Sequence, residues 1–194
     1  MKTTFASTVL GLVLASGSAA LAHDKDKDDF RAGPFFITID GVTGESQVPG
    51  HEGTIEGFNF SETWRNAGTT AGSAGGGASA PTLGPVVFDK VQGPATLKLL
   101  ANLVTGHTFS QVVIEFDKKG SDGKPVKYYQ ITLRDVLVSG VSEKSTGNGS
   151  LVDEVQLSFA SGKWEVFDPA DSVSFDSKTN KAGLTAPPAG RNTR

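Results

Sequence analysis

Three histidines and no cysteine make up this chain's stock of the side chains that most often carry nucleophilic, proton-transfer or metal chemistry. His107 lies close in sequence to Ser110 and Asp117, the residue types of a hydrolytic triad. No serine, however, sits in the glycine-flanked elbow that exposes a nucleophile. The position of His107 just past a helical pattern argues instead for an interaction with the negative end of the helix dipole. A hydrolase using His107 is therefore a remote alternative.

His51-Glu52 and the acidic-basic run Asp24–Asp29 offer ligand atoms, but neither has the spacing of a His-Glu-x-x-His or EF-hand site. Lys25 and Lys27 cancel part of the run's field, so solvated polar surface is the expected role. Gly75-Gly76-Gly77 lacks the lysine and following helix of a phosphate loop. Trp64 and Trp164 could form a platform for a carbohydrate or similar ligand, yet both lie in strand patterns that need core anchors. The expectation is no catalytic residue, no metal ligand and no cofactor.

The elements that position these residues are mostly strands. Phe35, Ile37 and Ile39 alternate with Phe36, Thr38 and Asp40, the period of a strand with one buried face. Asp40-Gly41 and Thr43-Gly44 then mark a turn. A second strand over 53–64 changes phase between Ile55 and Phe58, which predicts a bulge. Residues 66–84 read as a glycine-rich flexible loop, long enough to make contacts outside its own domain. Val86-Val87-Phe88 begins another strand.

One helix follows. Pro94 opens it, Leu97, Leu100, Ala101 and Val104 form its apolar stripe, and Gly106 closes it. That stripe is expected to pack on a sheet. Val112, Ile114 and Phe116 share one face of the next strand, and residues 121–124 make a hairpin turn. On the long return strand Tyr129, Ile131, Leu133 and Asp135 face one way. Val136-Leu137-Val138 then implies burial on both sides or a bend. Residues 146–149 turn again, Val155, Leu157 and Phe159 alternate, Ser161-Gly162 reads as a tight turn, and Trp164, Val166 and Phe167 start the closing strand. So many antiparallel strands with one helix predict a closed or nearly closed β-barrel, because closure removes exposed edges.

Composition narrows the setting. Lys2, an apolar stretch from Phe5 to Ala15 and Ala20-Leu21-Ala22 read as a signal peptide over 1–22. The apolar stretch is too short to span a bilayer. Cleavage would leave a chain without a membrane segment, exported across the inner membrane to the periplasm or beyond. A charged flexible terminus over 23–33, a barrel domain over 34–170 and a C-terminal extension with flexible tail over 171–194 complete the expected organisation. The formal charge of -3 at pH 7 is mixed in sign and gives no footprint for nucleic acid.

Phe35-Phe36-Ile37-Thr38-Ile39-Asp40-Gly41-Val42-Thr43-Gly44-Glu45-Ser46 resembles the opening of the Hcp family, the tube proteins of the type VI secretion system. The resemblance continues through Ile55-Glu56-Gly57-Phe58-Asn59-Phe60, Lys98-Leu99-Leu100-Ala101 and Thr105-Gly106-His107. It is strongest at Tyr129-Gln130-Ile131-Thr132-Leu133-Arg134-Asp135-Val136-Leu137-Val138-Ser139-Gly140-Val141-Ser142 and Glu154-Val155-Gln156-Leu157-Ser158-Phe159. The segment from Phe175 to Lys181 is similar to a family ending that usually has Trp where Phe175 stands. The match runs in order over about 34–181.

The resemblance implies an Hcp-like antiparallel β-barrel with one flanking helix and no active site. It also implies six subunits in a ring, rings stacked into the inner tube of a contractile injection machine, and effector proteins carried in the lumen. The glycine-rich loop would then contact neighbouring subunits or rings. Two features depart from the family pattern: the leader, and the prolines at 81, 85, 187 and 188 beside the loop and tail. The alternative reading is an exported stand-alone binding or assembly module with the same fold.

Overall fold

Alternation of apolar and polar side chains turns most of this chain into antiparallel strands. The computed structural model describes residues 34–66, 81–147, 149–167 and 170–185. The expected leader and charged terminus, residues 67–80 of the expected glycine-rich loop, and residues 186–194 of the expected tail lie outside them. Chain order is β1 (Phe35–Ile39), β2 (Ile55–Ser61), β3 (Trp64–Arg65), β4 (Thr82–Leu83), β5 (Val86–Val91), α1 (Pro94–Thr105), β6 (Thr108–Lys119), β7 (Pro125–Ser145), β8 (Leu151–Ser158), β9 (Ser161–Phe167), β10 (Ala170–Asp176) and β11 (Lys181–Thr185).

Six of these strands close on themselves in the order β1-β2-β5-β8-β7-β6, every pairing antiparallel. The expected barrel is therefore present, with one helix flanking it. Closure is possible because β7 is 21 residues long and divides one of its edges between two partners. Residues 129–134 pair with β9, whereas 137–145 pair with β8. β10 and β11 then extend the sheet beyond β9.

β8 and β9 run in the same direction along β7, joined by a bend at Phe159-Ala160. The expected turn at Ser161-Gly162 is thus absent, since both residues lie in β9. Gly162 serves packing instead. A Cβ there would stand 2.5 Å from Cη2 of the Trp164 indole. Asp135 marks the change of partner on β7, with φ of 51°. This left-handed residue re-aims the strand, so Val136 and Val138 point inward while Asp135 is exposed. The apolar run therefore records a bend rather than burial on both sides, and Leu137 is only half-buried.

Two other phase details differ from the sequence pattern. The irregularity in β2 lies between Phe58 and Ser61, at Asn59 with φ of 54°, later than expected. Gly57 is the inward residue before it, and the Phe35 ring occupies the space a side chain there would need. Phe36 is buried although its neighbours alternate, because His51 lies on its ring at 3.7 Å between centroids and 5° between planes. The barrel core combines Phe35, Ile37, Ile55, Phe88, Val112, Ile114, Ile131, Leu133, Val155 and Leu157.

α1 begins with Pro94 and ends at Gly106, whose φ is 66°. Its buried residues are Ala95, Thr96 and Leu99, with Leu103 packed against the core. The expected stripe faces the other way: Leu97 is 75% exposed and Val104 84%. The helix carries two apolar stripes, and the one at 95, 99 and 103 meets the barrel. Leu99→Ala should cost about 2–5 kcal/mol in urea unfolding through the cavity it leaves. Leu97→Ala should change stability by no more than about 0.5 kcal/mol. The reverse order would restore the original stripe.

Candidate functional site

The sequence-selected residues do not converge. His107 is exposed just after α1; its backbone N–H donates to the Asn102 carbonyl and its ring meets Phe109 edge-on at 5.6 Å. Ser110 lies near the start of β6, while Asp117 lies near its other end, about 30 Å from the His107 end by strand rise. No triad forms from these three. His51, not His107, is the histidine that reaches Asp117.

His51 Nε2 and Asp117 Oδ2 are 2.8 Å apart, and Nδ1 stands 3.8 Å from Glu115 Oε2. Lys127 donates to Glu115 at 2.6 Å. These contacts clip the 42–54 connection onto β6, with Phe36 beneath the imidazole. Glu52 is turned back on its own loop and accepts from the Gly50 N–H at 2.9 Å. Among the described residues no group of histidine and carboxylate side chains is arranged to hold a metal ion. The run at 24–29 and Gly75-Gly76-Gly77 lie outside those residues.

Trp164 is buried, so it offers no ligand face. Trp64 on β3 meets it edge-to-face at 4.4 Å and remains partly exposed. The indole N–H of Trp164 donates to both Glu62 oxygens, at 3.0 and 3.2 Å. Burial raises the Glu62 carboxyl above its ordinary value, and hydrogen bonds from the two tryptophans oppose that rise. Burial, helped by the nearby Glu62 charge, pushes the Tyr129 phenol up to about 12. Together these groups fasten the β3–β4 ribbon to the sheet.

A buried polar cluster around Lys90 escaped selection by sequence. Lys90 on β5 is 0% exposed, on the same inward face as Val86 and Phe88. Its ammonium donates to the Val91 carbonyl at 2.6 Å, to Thr96 Oγ1 at 3.2 Å and to Asp153 Oδ2 at 3.5 Å. Thr96 donates to Asp153 Oδ2 at 2.5 Å and accepts from the Gly93 N–H at 3.1 Å. Glu45 approaches Lys90 at 4.0 Å. Burial raises the Glu45 carboxyl even against the pull of Lys90. The cluster joins α1 to β5 and β8. Period-two alternation in Val86-Val87-Phe88-Asp89-Lys90 was the available signal.

Outward side chains of β6, β7, β9, β10 and β11 line a polar groove of about 740 Å³. It includes Arg134, Lys163, Glu165, Asp176 and Lys181, with Lys163 bonded to Glu165 at 2.6 Å. The arrangement throughout is one of fastening and surface display.

Comparison with known proteins agrees with this architecture. Residues 36–166, well over half the chain, match the family described as type VI secretion system effector, Hcp. No curated protein matches the chain. Among solved structures, Hcp1 from Salmonella typhimurium is 26% identical with a TM-score of 0.62, covering 78% of this chain and 99% of that one. A type VI secretion system effector from Yersinia pestis is 21% identical, with a TM-score of 0.58 and coverage of 73% and 98%. The secreted protein Hcp3 from Pseudomonas aeruginosa is 20% identical, with a TM-score of 0.58 and coverage of 74% and 97%. The family match spans the barrel from β1 to β9, the solved relatives share its fold, and this chain belongs to the Hcp family.

Proposed function

We propose that the chain is a non-enzymatic subunit of six-membered rings that stack into the inner tube of a type VI secretion system. Effector proteins held in the lumen are its cargo. The observation carrying this reading is the family match over residues 36–166, which takes in nearly every strand of the closed barrel. A rigid barrel with large outward sheet faces suits repetition around an axis, where one contact recurs at every subunit. The work is mechanical: the fold supplies stiffness and surface.

The leader-like residues 1–22 add export across the inner membrane, to the periplasm or beyond. No helix among the described residues is long and apolar enough to cross a membrane. That leader also favours a second reading, an exported stand-alone module with the same fold. The two separate in solution. Residues 23–194 should give a six-subunit mass, with open-centred rings by negative-stain imaging of the same peak. A monomer across high protein concentrations would overturn the ring and favour the stand-alone module.

A further inference from the structure

Asp-Gly occurs twice in the chain, at Asp40-Gly41 and Asp122-Gly123. Such a pair can react with itself, because glycine puts no side chain beside its own amide nitrogen. That nitrogen attacks Cγ of the neutral aspartyl carboxyl. An N–Cγ bond forms, a Cγ–O bond breaks, and the departing hydroxyl leaves as water with the amide proton. Water then opens the five-membered imide. Addition at the side-chain carbonyl restores aspartate, whereas addition at the main-chain carbonyl gives isoaspartate, with the chain routed through Cγ and the α-carboxyl free. Atoms balance without oxidant, reductant or enzyme.

Cγ must swing over the following nitrogen, so the Asp–Gly peptide has to rotate out of its turn. What that rotation disturbs differs between the two sites. Asp40 stands beside Ile39, 2% exposed, and the turn ends at Val42, 8% exposed, whose N–H donates to the Ile39 carbonyl at 3.1 Å. Both apolar side chains belong to the core. Turning the peptide there unseats them.

Asp122 occupies the tip of the β6–β7 hairpin, where every residue from Ser121 to Val126 is exposed. β6 pairs with β1 only as far as Glu115, and β7 with β9 only from Tyr129 onward. In strand pairing among the described residues, 117–119 and 125–127 therefore have only each other. A segment with an exposed backbone and no core side chain opens locally at low cost.

The closed tip engages both reacting groups. The Gly123 N–H donates to the Gly120 carbonyl at 2.9 Å, and Asp122 Oδ1 accepts from the Lys124 N–H at 3.1 Å. Gly120 permits this closure: a Cβ there would stand 2.9 Å from Val126 Cγ2 and 3.0 Å from both Asp122 Oδ1 and the Lys124 carbonyl oxygen. We propose that Asp122 is a site of spontaneous isomerisation to isoaspartate, reached through opening of the hairpin tip, and that Asp40 resists the same reaction. The product lengthens the main chain by one atom inside a turn whose length sets the pairing of the strand ends beside it. It alters the tip and leaves the barrel strands in place, whichever assembly the chain forms.

Peptide mapping of residues 23–194 during weeks in warm, mildly acidic buffer tests it, with isoaspartate counted by enzymatic methylation of the freed α-carboxyl. Isoaspartate should accumulate at Asp122 at least fivefold faster than at Asp40, with no change of mass. Deamidation at Asn148-Gly149 does change the mass, so the two are not confused. Hydroxylamine, which cuts a chain at a cyclic imide, should cleave after residue 122. Gly120→Ala crowds the closed tip and should speed conversion at Asp122 about threefold or more, with Asp40 unaffected. No isoaspartate at Asp122, conversion at Asp40 as fast or faster, or a Gly120→Ala rate no higher than the natural one would each overturn the proposal.

Discussion

Asp153→Ala should destabilise the barrel by about 3–5 kcal/mol, the cost of breaking a buried ion pair by removing one partner. Lys90 is fully buried, and its remaining contacts would be the Val91 carbonyl and the Thr96 hydroxyl, with Glu45 at 4.0 Å. The hydroxyl would be compromised too. Thr96 now accepts from Gly93 and Lys90 while donating to Asp153, so losing the carboxylate removes its acceptor. Against a total stability of about 5–15 kcal/mol for a typical domain, this is a large fraction. Urea unfolding should show it as a lower midpoint with an unchanged slope.

Companion variants assign the cause. Asp153→Asn keeps an acceptor for Thr96 but removes the charge, and should recover only part of the loss. Lys90→Met combined with Asp153→Leu removes both charges and should recover most of it, since apolar pairs of similar size often equal a buried salt bridge. If Asp153→Ala costs less than about 1 kcal/mol, the pair behaves as an exposed one would, and Glu45 is compensating.

This cluster also shows where sequence reading stops. Alternation alone exposes the strands, their turns at Gly41 and Gly123, and the barrel class, because period two is a local property. Pro94 and Gly106 bound the helix for the same reason. The helix face is different. Stripes at 95, 99, 103 and at 97, 101, 104 both fit a helical period, and docking against the barrel chooses between them. Gly162 misleads because glycine beside serine usually signals a turn, whereas here the indole of Trp164 needs the space. Asp135 gives no warning of its positive φ.

Long-range contacts were the least legible. His51 and Asp117 are 66 residues apart, and Trp164 meets Glu62 across 102. Nothing in local spacing predicts either. Lys90 is intermediate: its strand phase points inward, but a lysine is ordinarily read as solvated. The family resemblance, like the strand count, pointed to the closed architecture that makes such an inward lysine intelligible. It carried no information about which polar groups would be fastened together beneath it.

Trp164→Ala should cost about 3–5 kcal/mol from lost packing alone. Its indole is buried against Trp64, Phe159 and Gly162, so truncation opens a space that the surrounding sheet cannot fill. Trp164→Phe separates ring from donor. It keeps an aromatic body but removes the N–H that bonds both Glu62 oxygens, at an expected cost of roughly 1.5–3 kcal/mol for a hydrogen bond to a charged group. That second cost should depend on pH. The folded Glu62 carboxyl already lies above its ordinary 4.5, chiefly through burial, so stability falls as pH rises through the folded value. Removing a donor raises the folded value further, so the fall extends to higher pH and its total grows. The Trp164→Phe penalty should therefore be smallest at or below pH 4.5 and grow toward neutrality. Glu62→Gln removes the titration, and in that background the penalty should be flat across the same range. A penalty that stays pH-dependent in the Glu62→Gln background would assign the effect to another group and leave Trp164 a packing anchor only.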